Sequence, residues 1–507
     1  MLNNLCFENL SSGKLKIYFF LLLFISSSLI CFTGCFQRKE SAANEKLQVI
    51  NDTISFKNAT QNDKDSVKII IGTYLGNETR NYYGEDPPDK LNLKWKLYLG
   101  KGKSEGKHGN IKEWAGTGWT GQPLLTKESG ELYLYTGALD YHLKKIKASI
   151  GELVWQYKFD DAIKGTGSIF VNSKSSDLNS KYTIVQGSKR GYCLSLGAKY
   201  CYSLRGVSMF NGSEAWRYNV KHTYSASRDV DGSVLICNDT IIAPLENGYL
   251  SFLDANSLTS EGKYNFPYAI AEVPLYNKKH FRKNLIAEGS PSLIDNIIYN
   301  TCGSGYLYGV DKITKNIVFE FYIGADLNGT SPVTNDSCLL VSVEKEYIPG
   351  SGGLFKINPK YTGNDCVEWF FPSGNKTYSD WNGGIIGSAS VAGDDCVTNS
   401  IDGYLYFINH KRTDKTKSTN GPDLSTIFLQ PVLLDKVYIG PSISTPIIIG
   451  KKVIACSYNG IYLFQINGEN KLELLDKFET GFESTPISYD GKIYVGSRDG
   501  YMYCFGD

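Results

Sequence analysis

The C-terminal stretch of the chain recurs upstream, and this repetition constrains the fold more than any other feature. The stretch starts with the small residues Ser484-Thr485-Pro486 and continues as KIYVGSRDGYMYCFG, two strand-like runs around an Asp-Gly turn. Apolar alternation around Asp-Gly is the strongest short-range signal for a β-hairpin. Similar units recur about eight times at intervals of roughly 40–60 residues, a period typical of repeat architectures.

Each repeat unit has three parts: a start of small residues, a hairpin, and a short outer strand that often carries an aromatic residue. GELVWQYKF and GSEAWRYNV are clear outer strands, but the last hairpin reaches Asp507 without one. Leu93 to Leu99 (LKWKLYL) has the missing pattern and lies before the first unit. We therefore expect this N-terminal strand to complete the last unit.

These units predict an all-β chain that forms one eight-bladed β-propeller over residues 91–507. Pairing of Leu93–Leu99 with the last hairpin would close the ring and remove exposed sheet edges. Seven blades is the alternative if the sixth unit, which contains KRTDKTKSTNGPD, is an insertion. The 35 Tyr and 24 Phe residues favour strands, and we expect the propeller to be monomeric.

The N-terminal sequence has the pattern of an export signal and is not expected to be part of the fold. Lys14 and Lys16 precede a long apolar run that ends in small residues, so residues 1–34 are interpreted as a signal peptide. The placement of Cys35 after Gly34 resembles the lipobox of bacterial lipoproteins, in which that cysteine is acylated. An uncleaved membrane anchor is the alternative. Residues 35–90 are polar and are predicted to form a flexible tether, with a short strand within Val67–Leu75.

The cysteines give no metal motif. The chain contains 12 Cys but no C-x-x-C, and most of them lie inside or beside predicted strands, where they would be buried thiols. Cys193 and Cys201 flank one loop. In one interpretation they form a disulfide in an oxidising compartment. In the other they stay reduced.

The repeat resembles the quinoprotein-type (PQQ-like) β-propeller repeat, in which a hairpin is followed by Asp or Asn, a Gly turn and a Trp strand. LKKIKASIGELVWQYKF and SMFNGSEAWRYNV carry this resemblance, which covers residues 91–507. It implies the propeller fold but two different functions. One group contains PQQ-dependent alcohol and sugar dehydrogenases, and the other contains non-enzymatic lipoproteins such as the BamB-type outer-membrane assembly factors.

A dehydrogenase of this kind would need PQQ, Ca²⁺ and an Asp base. Arg228-Asp229-Val230-Asp231-Gly232 resembles the W-D-x-D segment of that group, with Arg228 in place of Trp. The resemblance would make Asp229 the base, whereas the alternative is an Asp that caps a turn. The adjacent Cys pair of the group is absent, and no calcium ligand follows from a motif. We expect neither cofactor nor metal.

Several aromatic and polar residues before or at the blade starts are expected to share one face of the ring, because all blade starts converge there. These candidate binding residues are Trp114, Trp119, Gln122, Arg228, Asp229, Asp231 and Trp381. Exposed aromatics on such a face suit a protein, peptide or glycan. The alternative is that they pack beneath neighbouring loops.

The sequence thus favours a non-enzymatic, outer-membrane-associated lipoprotein that acts as a protein-binding scaffold in envelope assembly. By resemblance, Phe36 after Cys35 suggests the outer membrane, and we expect the propeller to face the periplasm. The alternative is a PQQ- and Ca²⁺-dependent dehydrogenase. The net charge of +1 gives no general attraction to nucleic acid.

Overall fold

The computed structural model describes residues 66–106, 109–277, 279 and 284–507. The predicted signal peptide, the lipidation site at Cys35 and the first part of the predicted tether lie outside these residues. Within the described residues, no helix is both long enough and apolar enough to cross a membrane. Besides the strands there is a short helix α1 at Leu178–Lys181 and a 3₁₀ turn at Gly363–Cys366.

The strands cover most of the described chain. The first half contains β1 (Val67–Ile71), β2 (Asn92–Tyr98), β3 (Lys101–Glu105), β4 (Ile111–Ala115), β5 (Leu124–Glu128), β6 (Glu131–Gly137), β7 (His142–Lys147), β8 (Glu152–Lys158), β9 (Ser168–Val171), β10 (Tyr182–Gly187), β11 (Leu204–Ser208), β12 (Glu214–Tyr218), β13 (Leu235–Cys237), β14 (Thr240–Leu245), β15 (Tyr249–Glu261) and β16 (Tyr264–Pro274). The second half contains β17 (Ser292–Ile294), β18 (Ile297–Thr301), β19 (Tyr306–Asp311), β20 (Ile317–Tyr322), β21 (Leu339–Val343), β22 (Gly353–Ile357), β23 (Val367–Pro372), β24 (Ser390–Ala392), β25 (Asp395–Asn399), β26 (Tyr404–Asn420), β27 (Ile427–Tyr438), β28 (Ile447–Ile449), β29 (Lys452–Ser457), β30 (Gly460–Ile466), β31 (Leu472–Phe478), β32 (Ile487–Tyr489), β33 (Lys492–Gly496) and β34 (Tyr501–Gly506).

These strands form eight antiparallel blades of a β-propeller, which confirms the predicted fold. Blades 1 to 4 are β5–β8, β9–β12, β13–β16 and β17–β20, and blades 5 to 7 are β21–β23, β24–β27 and β28–β31. Blade 5 has three strands, and its innermost position is reduced to one bridge between Val333 and Leu339. The chain turns there because the Thr334 hydroxyl accepts a hydrogen bond from the Cys338 amide at 3.1 Å.

The eighth blade is closed by the N-terminal strand, as predicted. β2 pairs antiparallel with β34, and Leu93 lies opposite Phe505. The Trp95 ring lies 6.0 Å from that of Tyr494, and its indole Nε1 donates to the Ala148 carbonyl of blade 1 at 3.0 Å. Residues near both ends of the described chain therefore complete one blade, so the ring leaves no open sheet edge at this junction.

The basic segment of the sixth unit is part of a strand, so this unit is a blade and the seven-blade alternative does not apply. KRTDKTKSTN lies in β26, which pairs with β27 over a long hairpin that reaches Asn420 and Ile427. The hairpin is interrupted where Asn409 pairs with Val432 but the next paired residue is Thr413. The segment is polar throughout and mostly exposed, and it extends the blade outward as a solvent-facing hairpin.

The predicted short strand within Val67–Leu75 is present as β1, but the tether prediction is wrong for the residues that follow it, because they fill the axis of the ring. We call residues 72–86 the axial plug. β1 pairs with β5 on the axis side of blade 1, and the chain then leads into the plug. Tyr74, Arg80 and Tyr83 are at most 2% exposed. The segment has few apolar residues, yet backbone groups of the inner strands satisfy its polar groups.

The axial plug contacts all eight blades. Arg80 is its centre: the guanidinium donates to the Pro291 carbonyl (2.8 Å), the Tyr74 carbonyl (2.8 Å) and the Thr73 hydroxyl (2.7 Å). Burial lowers the pKa of Arg80 to about 9, so the group stays charged at neutral pH. The hydrogen bonds from the plug to the other blades involve Gln122, Ile169, Val234, Val333, Val391, Thr445 and Ser488.

Candidate binding site

The two faces of the ring differ because the plug approaches from only one of them. We call the upper face the one where each outer strand leads to the inner strand of the next blade, and the lower face the opposite one. β1 runs antiparallel to β5, so the chain enters the axis from the lower face. It leaves there too, where the Gly491 amide donates to the Asp86 carbonyl at 2.9 Å. A site on the axis is therefore reached from the upper face.

Three predicted tryptophans line one cavity on the upper face. Trp114, Trp119 and Trp381 surround a volume of about 430 Å³, which we call the tryptophan pocket. The volume lies within the range of about 300–1,000 Å³ of small-molecule sites. All three side chains are half-buried, so they both pack on the protein and face the cavity. The structure thus brings together these three of the seven predicted binding residues.

Trp114 reaches the pocket on a β-hairpin that precedes blade 1. The hairpin β3–β4 pairs Gly102 with Trp114 and stands apart from the eight blades. The end next to its turn is held by the Ser104 hydroxyl, which donates to Asp161 at 2.9 Å, and by the Lys189 ammonium, which donates to the Glu105 carbonyl at 2.7 Å. Trp114 therefore has a fixed place at the pocket wall.

Trp119 and Trp381 form the apolar side of the pocket. Both pack against a buried cluster of Ile386, Ile401 and Ile443. The ring of Trp381 also stacks on that of Tyr458, with centroids 6.3 Å apart and planes at 25°. Packing of this kind orients an indole so that its remaining face stays available to a ligand.

The charged groups in the described lining of the pocket are balanced. Lys112, Lys164 and Arg498 oppose Glu113, Asp380 and Glu483. Arg498 donates to Glu483 at 3.0 Å and lies 5.7 Å from the Trp114 ring centroid. The pocket therefore combines indole surface with hydrogen-bonding groups of both signs and gives no preference for a strongly charged ligand.

A second feature of the upper face lies next to the pocket. Carboxylate oxygens of Asp231, Glu246 and Glu288 lie within 4.8 Å of one another, and we call these three residues the acidic cluster. The Lys164 ammonium contacts Asp231 Oδ2 and also lines the tryptophan pocket. Lys164 is therefore the link between the pocket and the cluster.

The electrostatics of the cluster are unusual for buried groups. Burial and the charge of Asp231 hold the pKa of Glu246 well above its usual range. Burial raises the pKa of Glu288 in the same way, and Lys164 offsets only part of this rise. Burial alone would lower the pKa of Lys164, but Asp231 and the two glutamates hold it well above the ordinary value. Such perturbed groups concentrate at functional sites.

Asp229, the candidate base, is buried and already paired. It accepts a hydrogen bond from the Arg190 amide at 2.9 Å, and its Oδ2 lies 3.4 Å from the Lys189 ammonium. Burial raises its pKa, but Lys189 and Lys164 outweigh this and leave the pKa below its usual value. A carboxylate with a lowered pKa is a weak proton acceptor, so this environment does not favour the role of general base.

Arg228 and Gln122 are structural, which corrects their prediction as binding residues. Arg228 is 1% exposed and donates to the carbonyls of Leu196, Ala198 and Val220 at 2.5–3.0 Å. Gln122, also 1% exposed, accepts from the Leu75 amide at 2.7 Å and donates to the Pro486 carbonyl at 3.3 Å. Arg228 holds a loop and Gln122 holds the axial plug, so neither side chain faces a ligand.

The alternative of a Cys193–Cys201 disulfide is not realised in the described structure. Both thiols are free, with Cys193 exposed and Cys201 buried. The Cys201 thiol instead donates to the Arg190 carbonyl at 3.4 Å. Cys201 is buried and Cys193 is exposed, so the two thiols lie in different environments although they flank one loop in the sequence.

The residues of the axis do not fit PQQ. This planar quinone carries carboxylates of its own, whereas the place for it beside Asp229 is rich in buried carboxylates. Asp229, Asp231, Glu246 and Glu288 outnumber the lysines Lys164 and Lys189 that pair with them. Arg228, at the position of the Trp in the W-D-x-D segment, is fully engaged by backbone carbonyls. The residues beside Asp229 therefore do not suit this quinone.

Calcium alone does fit the donor set. The acidic cluster offers only oxygen ligands, which Ca²⁺ prefers. Among the described residues, Asp231 Oδ1 and Glu246 Oε1 are buried and have no hydrogen-bond partner. Asp231, Glu246 and Glu288 are the residues that would hold such an ion, and the ion would add positive charge to that of Lys164.

Sequence reasoning missed Glu246, Glu288 and Lys164 as site residues. Glu288 precedes a blade start at Gly289, Lys164 precedes another at Gly165, and Glu246 follows β14 at a hairpin turn. All three positions lie on the upper face by the repeat topology alone. The available signal was therefore the repeat position of a charged residue, not a local motif.

Comparisons with solved structures agree with the fold. BamB from Moraxella catarrhalis superposes with a TM-score of 0.51 at 12% identity, over 82% of this chain and 100% of that one. A quinohemoprotein alcohol dehydrogenase from Comamonas testosteroni gives 0.51 at 12% identity, over 86% and 80%. A europium-containing methanol dehydrogenase gives 0.53 at 10% identity, over 86% and 98%.

No protein-family model and no curated protein sequence matches the chain. The structural neighbours include BamB and quinoprotein dehydrogenases alike, at identities that show the fold and not the activity. The chain is thus an eight-bladed β-propeller whose fold is similar to that of these solved structures.

Proposed function

We propose that the protein is a non-enzymatic binding scaffold of the bacterial cell envelope, anchored to the outer membrane through a lipid on Cys35 and facing the periplasm. The observation that carries the scaffold role is the tryptophan pocket, where Trp114, Trp119 and Trp381 line one open cavity. Indoles in a partly desolvated pocket with a polar rim are typical anchors of protein recognition. The likeness to BamB supports a partner in outer-membrane assembly.

The plugged axis supports the same proposal. The plug occupies the lower end of the channel, and the upper end has the pocket beside a buried carboxylate cluster. The candidate base Asp229 is engaged by Lys189 and Arg190. A fixed aromatic surface beside a candidate base that is already paired suits binding rather than turnover.

The proposal is tested by site-specific photo-crosslinking in cells of the source bacterium. A photoreactive phenylalanine analogue replaces Trp114 or Trp381, and a matched control replaces Tyr268, which is 65% exposed on β16 away from the pocket. We expect a discrete crosslinked envelope protein at the two pocket positions and none at Tyr268. Membrane fractionation of a Cys35→Ser variant tests the anchor in the same cells, with release from the membrane as the expected result.

A second variant separates loss of binding from loss of folding. Trp114→Ala should abolish the crosslink formed from position 381, while its melting temperature stays close to that of the parent protein because Trp114 lies on the separate β3–β4 hairpin. Equal crosslinking at Tyr268 and at the pocket, or an unchanged crosslink in Trp114→Ala, would contradict the assignment of this surface.

A further inference from the structure

A second cavity lies between blades 2 and 3, and we call it the interblade cavity. Its volume is about 240 Å³, and it shares no lining residue with the tryptophan pocket. One wall belongs to blade 2, and the opposite wall belongs to the extension of β15 and β16 over residues 258–267. The side-chain amide of Asn265 donates to the Ala215 carbonyl at 3.1 Å and holds this extension against blade 2. The cavity is therefore built by two neighbouring blades.

The interblade cavity contains an indole that lacks the hydrogen bond made by its counterparts in other blades. In the outer strands of blades 8, 1 and 5, a tryptophan Nε1 donates to a carbonyl of the next blade. These pairs are Trp95 and Ala148 at 3.0 Å, Trp155 and Met209 at 3.3 Å, and Trp369 and His410 at 2.9 Å. Trp216 in the outer strand of blade 2 is 2% exposed, and its Nε1 donates to none of the described residues. Ala255, which follows the paired Asp254 as His410 follows the paired Asn409, also lines the cavity.

A hydroxyl in the same cavity is also without a partner. Thr183 is 2% exposed, and its Oγ1 is buried with no hydrogen bond to any described residue. An indole N–H can only donate a hydrogen bond, whereas a hydroxyl can donate and accept. Because buried polar groups are nearly always paired, Trp216 and Thr183 together indicate a polar ligand.

The charges around the interblade cavity favour a neutral ligand over an ion. Glu214 is the charged residue of the described lining, and Arg217 donates to its two oxygens at 2.5 and 2.7 Å. This ion pair leaves no charge for a ligand to balance. The other polar lining residues are neutral amides and hydroxyls, namely Asn172, Asn179, Ser180, Thr183, Ser213 and Asn265.

The size of the cavity suits one small ring. Its volume of about 240 Å³ is below the range of about 300–1,000 Å³ for drug-sized ligands and well above the share of about 30 Å³ that one water molecule takes. Phe170 and Leu258 add apolar surface for the C–H groups of such a ring. A sugar carries hydroxyls that both donate and accept, so it can satisfy the Trp216 N–H and the Thr183 hydroxyl at once.

We propose that the interblade cavity binds a neutral monosaccharide, with hydrogen bonds from its hydroxyl groups to Trp216 and Thr183. The site lies away from the ring axis and needs neither a quinone nor a metal. It is independent of the scaffold role, because it shares no residue with the tryptophan pocket.

The test measures binding of glucose, galactose, mannose and N-acetylglucosamine to the full-length protein by titration calorimetry and saturation-transfer NMR. We expect saturable binding of at least one of these sugars at one site. Ser213→Trp places a bulky side chain at the exposed rim of the cavity and should abolish this binding. Ser418→Trp, a matched change of an exposed serine on β26, should leave it unchanged.

Thr183→Val and Trp216→Phe test the two buried groups separately. Each change removes one hydrogen bond to the sugar and should weaken binding by about threefold to tenfold. Thr183→Val keeps the side-chain shape and removes an unpaired hydroxyl, so its melting temperature should not fall, and lost binding cannot then be assigned to unfolding. Absence of binding of all four sugars, equal binding in Ser213→Trp, or unchanged affinity in both Thr183→Val and Trp216→Phe would each overturn the proposal. Tighter binding of adenosine or of inorganic phosphate would overturn the choice of ligand class.

Discussion

The replacement Arg80→Met tests whether the axial plug holds the ring together. Methionine keeps much of the length of the side chain but cannot donate hydrogen bonds. Arg80 is fully buried, and its guanidinium donates three bonds of 2.7–2.8 Å to Thr73, Tyr74 and Pro291. We expect the variant to fold with a clearly lower free energy of unfolding.

The magnitude follows from these three bonds. A hydrogen bond from a charged donor contributes about 1.5–3 kcal/mol, so the three together contribute at least about 4.5 kcal/mol. Because the variant no longer buries a charge, it avoids the desolvation penalty of the guanidinium, and this offsets part of the lost hydrogen-bond energy. A net loss of about 3 kcal/mol remains. For roughly 440 ordered residues with an unfolding entropy of ~2.1 cal/mol/K each, this lowers the melting temperature by about 3 °C.

Differential scanning calorimetry of the parent protein and two variants measures this effect. Arg412→Met is the matched control because Arg412 is exposed on β26, and the described structure gives its side chain no hydrogen bond or ion pair. We expect the melting temperature of Arg412→Met to stay within about 1 °C of the parent. If Arg80→Met melts like Arg412→Met, the plug does not stabilise the ring and our account of residues 72–86 is wrong.

Two further predictions concern ring closure and the thiols. Deletion of Lys492–Asp507 removes β33 and β34 and leaves β2 unpaired, so calorimetry should show no cooperative melting; a retained transition would refute the closure. A thiol reagent at pH 8 should modify exposed Cys193 in the native protein. Buried Cys302 and Cys456 should react only in denaturant, because burial raises the pKa of both thiols. A Cys193–Cys201 disulfide peptide in the mass spectrum would contradict the free thiols.

The ring itself was predictable because its information is local and repeated. The alternation in KIYVGSRDGYMYCFG specifies a hairpin without reference to any distant residue, and the missing eighth outer strand left only LKWKLYL as its partner. Spacing of the repeats then gave the number of blades. Blade 5 departs from the pattern, because the Thr334 turn shortens its inner strand to one bridge.

The axial plug was not predictable because its stability comes from distant partners. Residues 72–86 show no apolar periodicity, and their composition indicates a solvated segment. In the structure their polar groups bond to inner-strand atoms. For example, the Tyr83 hydroxyl accepts a hydrogen bond from the Val391 amide, a contact that the local sequence does not indicate. Composition describes how a segment behaves in water, but here the ring provides the hydrogen bonds that water would otherwise provide.

The candidate site was predictable only in part for the same reason. Convergence of the blade starts correctly placed Trp114, Trp119 and Trp381 around one cavity. The same convergence also suggested Gln122 and Arg228, but a long polar side chain at such a position can turn inward as readily as outward. Gln122 binds the plug and Arg228 binds backbone carbonyls, contacts that depend on segments remote in sequence.

The plug also explains why the site lies on the upper face. A propeller axis is lined by backbone and small side chains, so an open axis would expose polar groups of every inner strand to water. The plug satisfies these groups from below through Arg80 and Tyr74, whose hydroxyl reaches Thr445 and Thr485 at 2.8 and 3.2 Å. Only the uppermost ring of side chains then remains for a ligand. Charged residues there need not stabilise the axis, and so the buried carboxyl groups of Asp231, Glu246 and Glu288 can persist beside the tryptophan pocket.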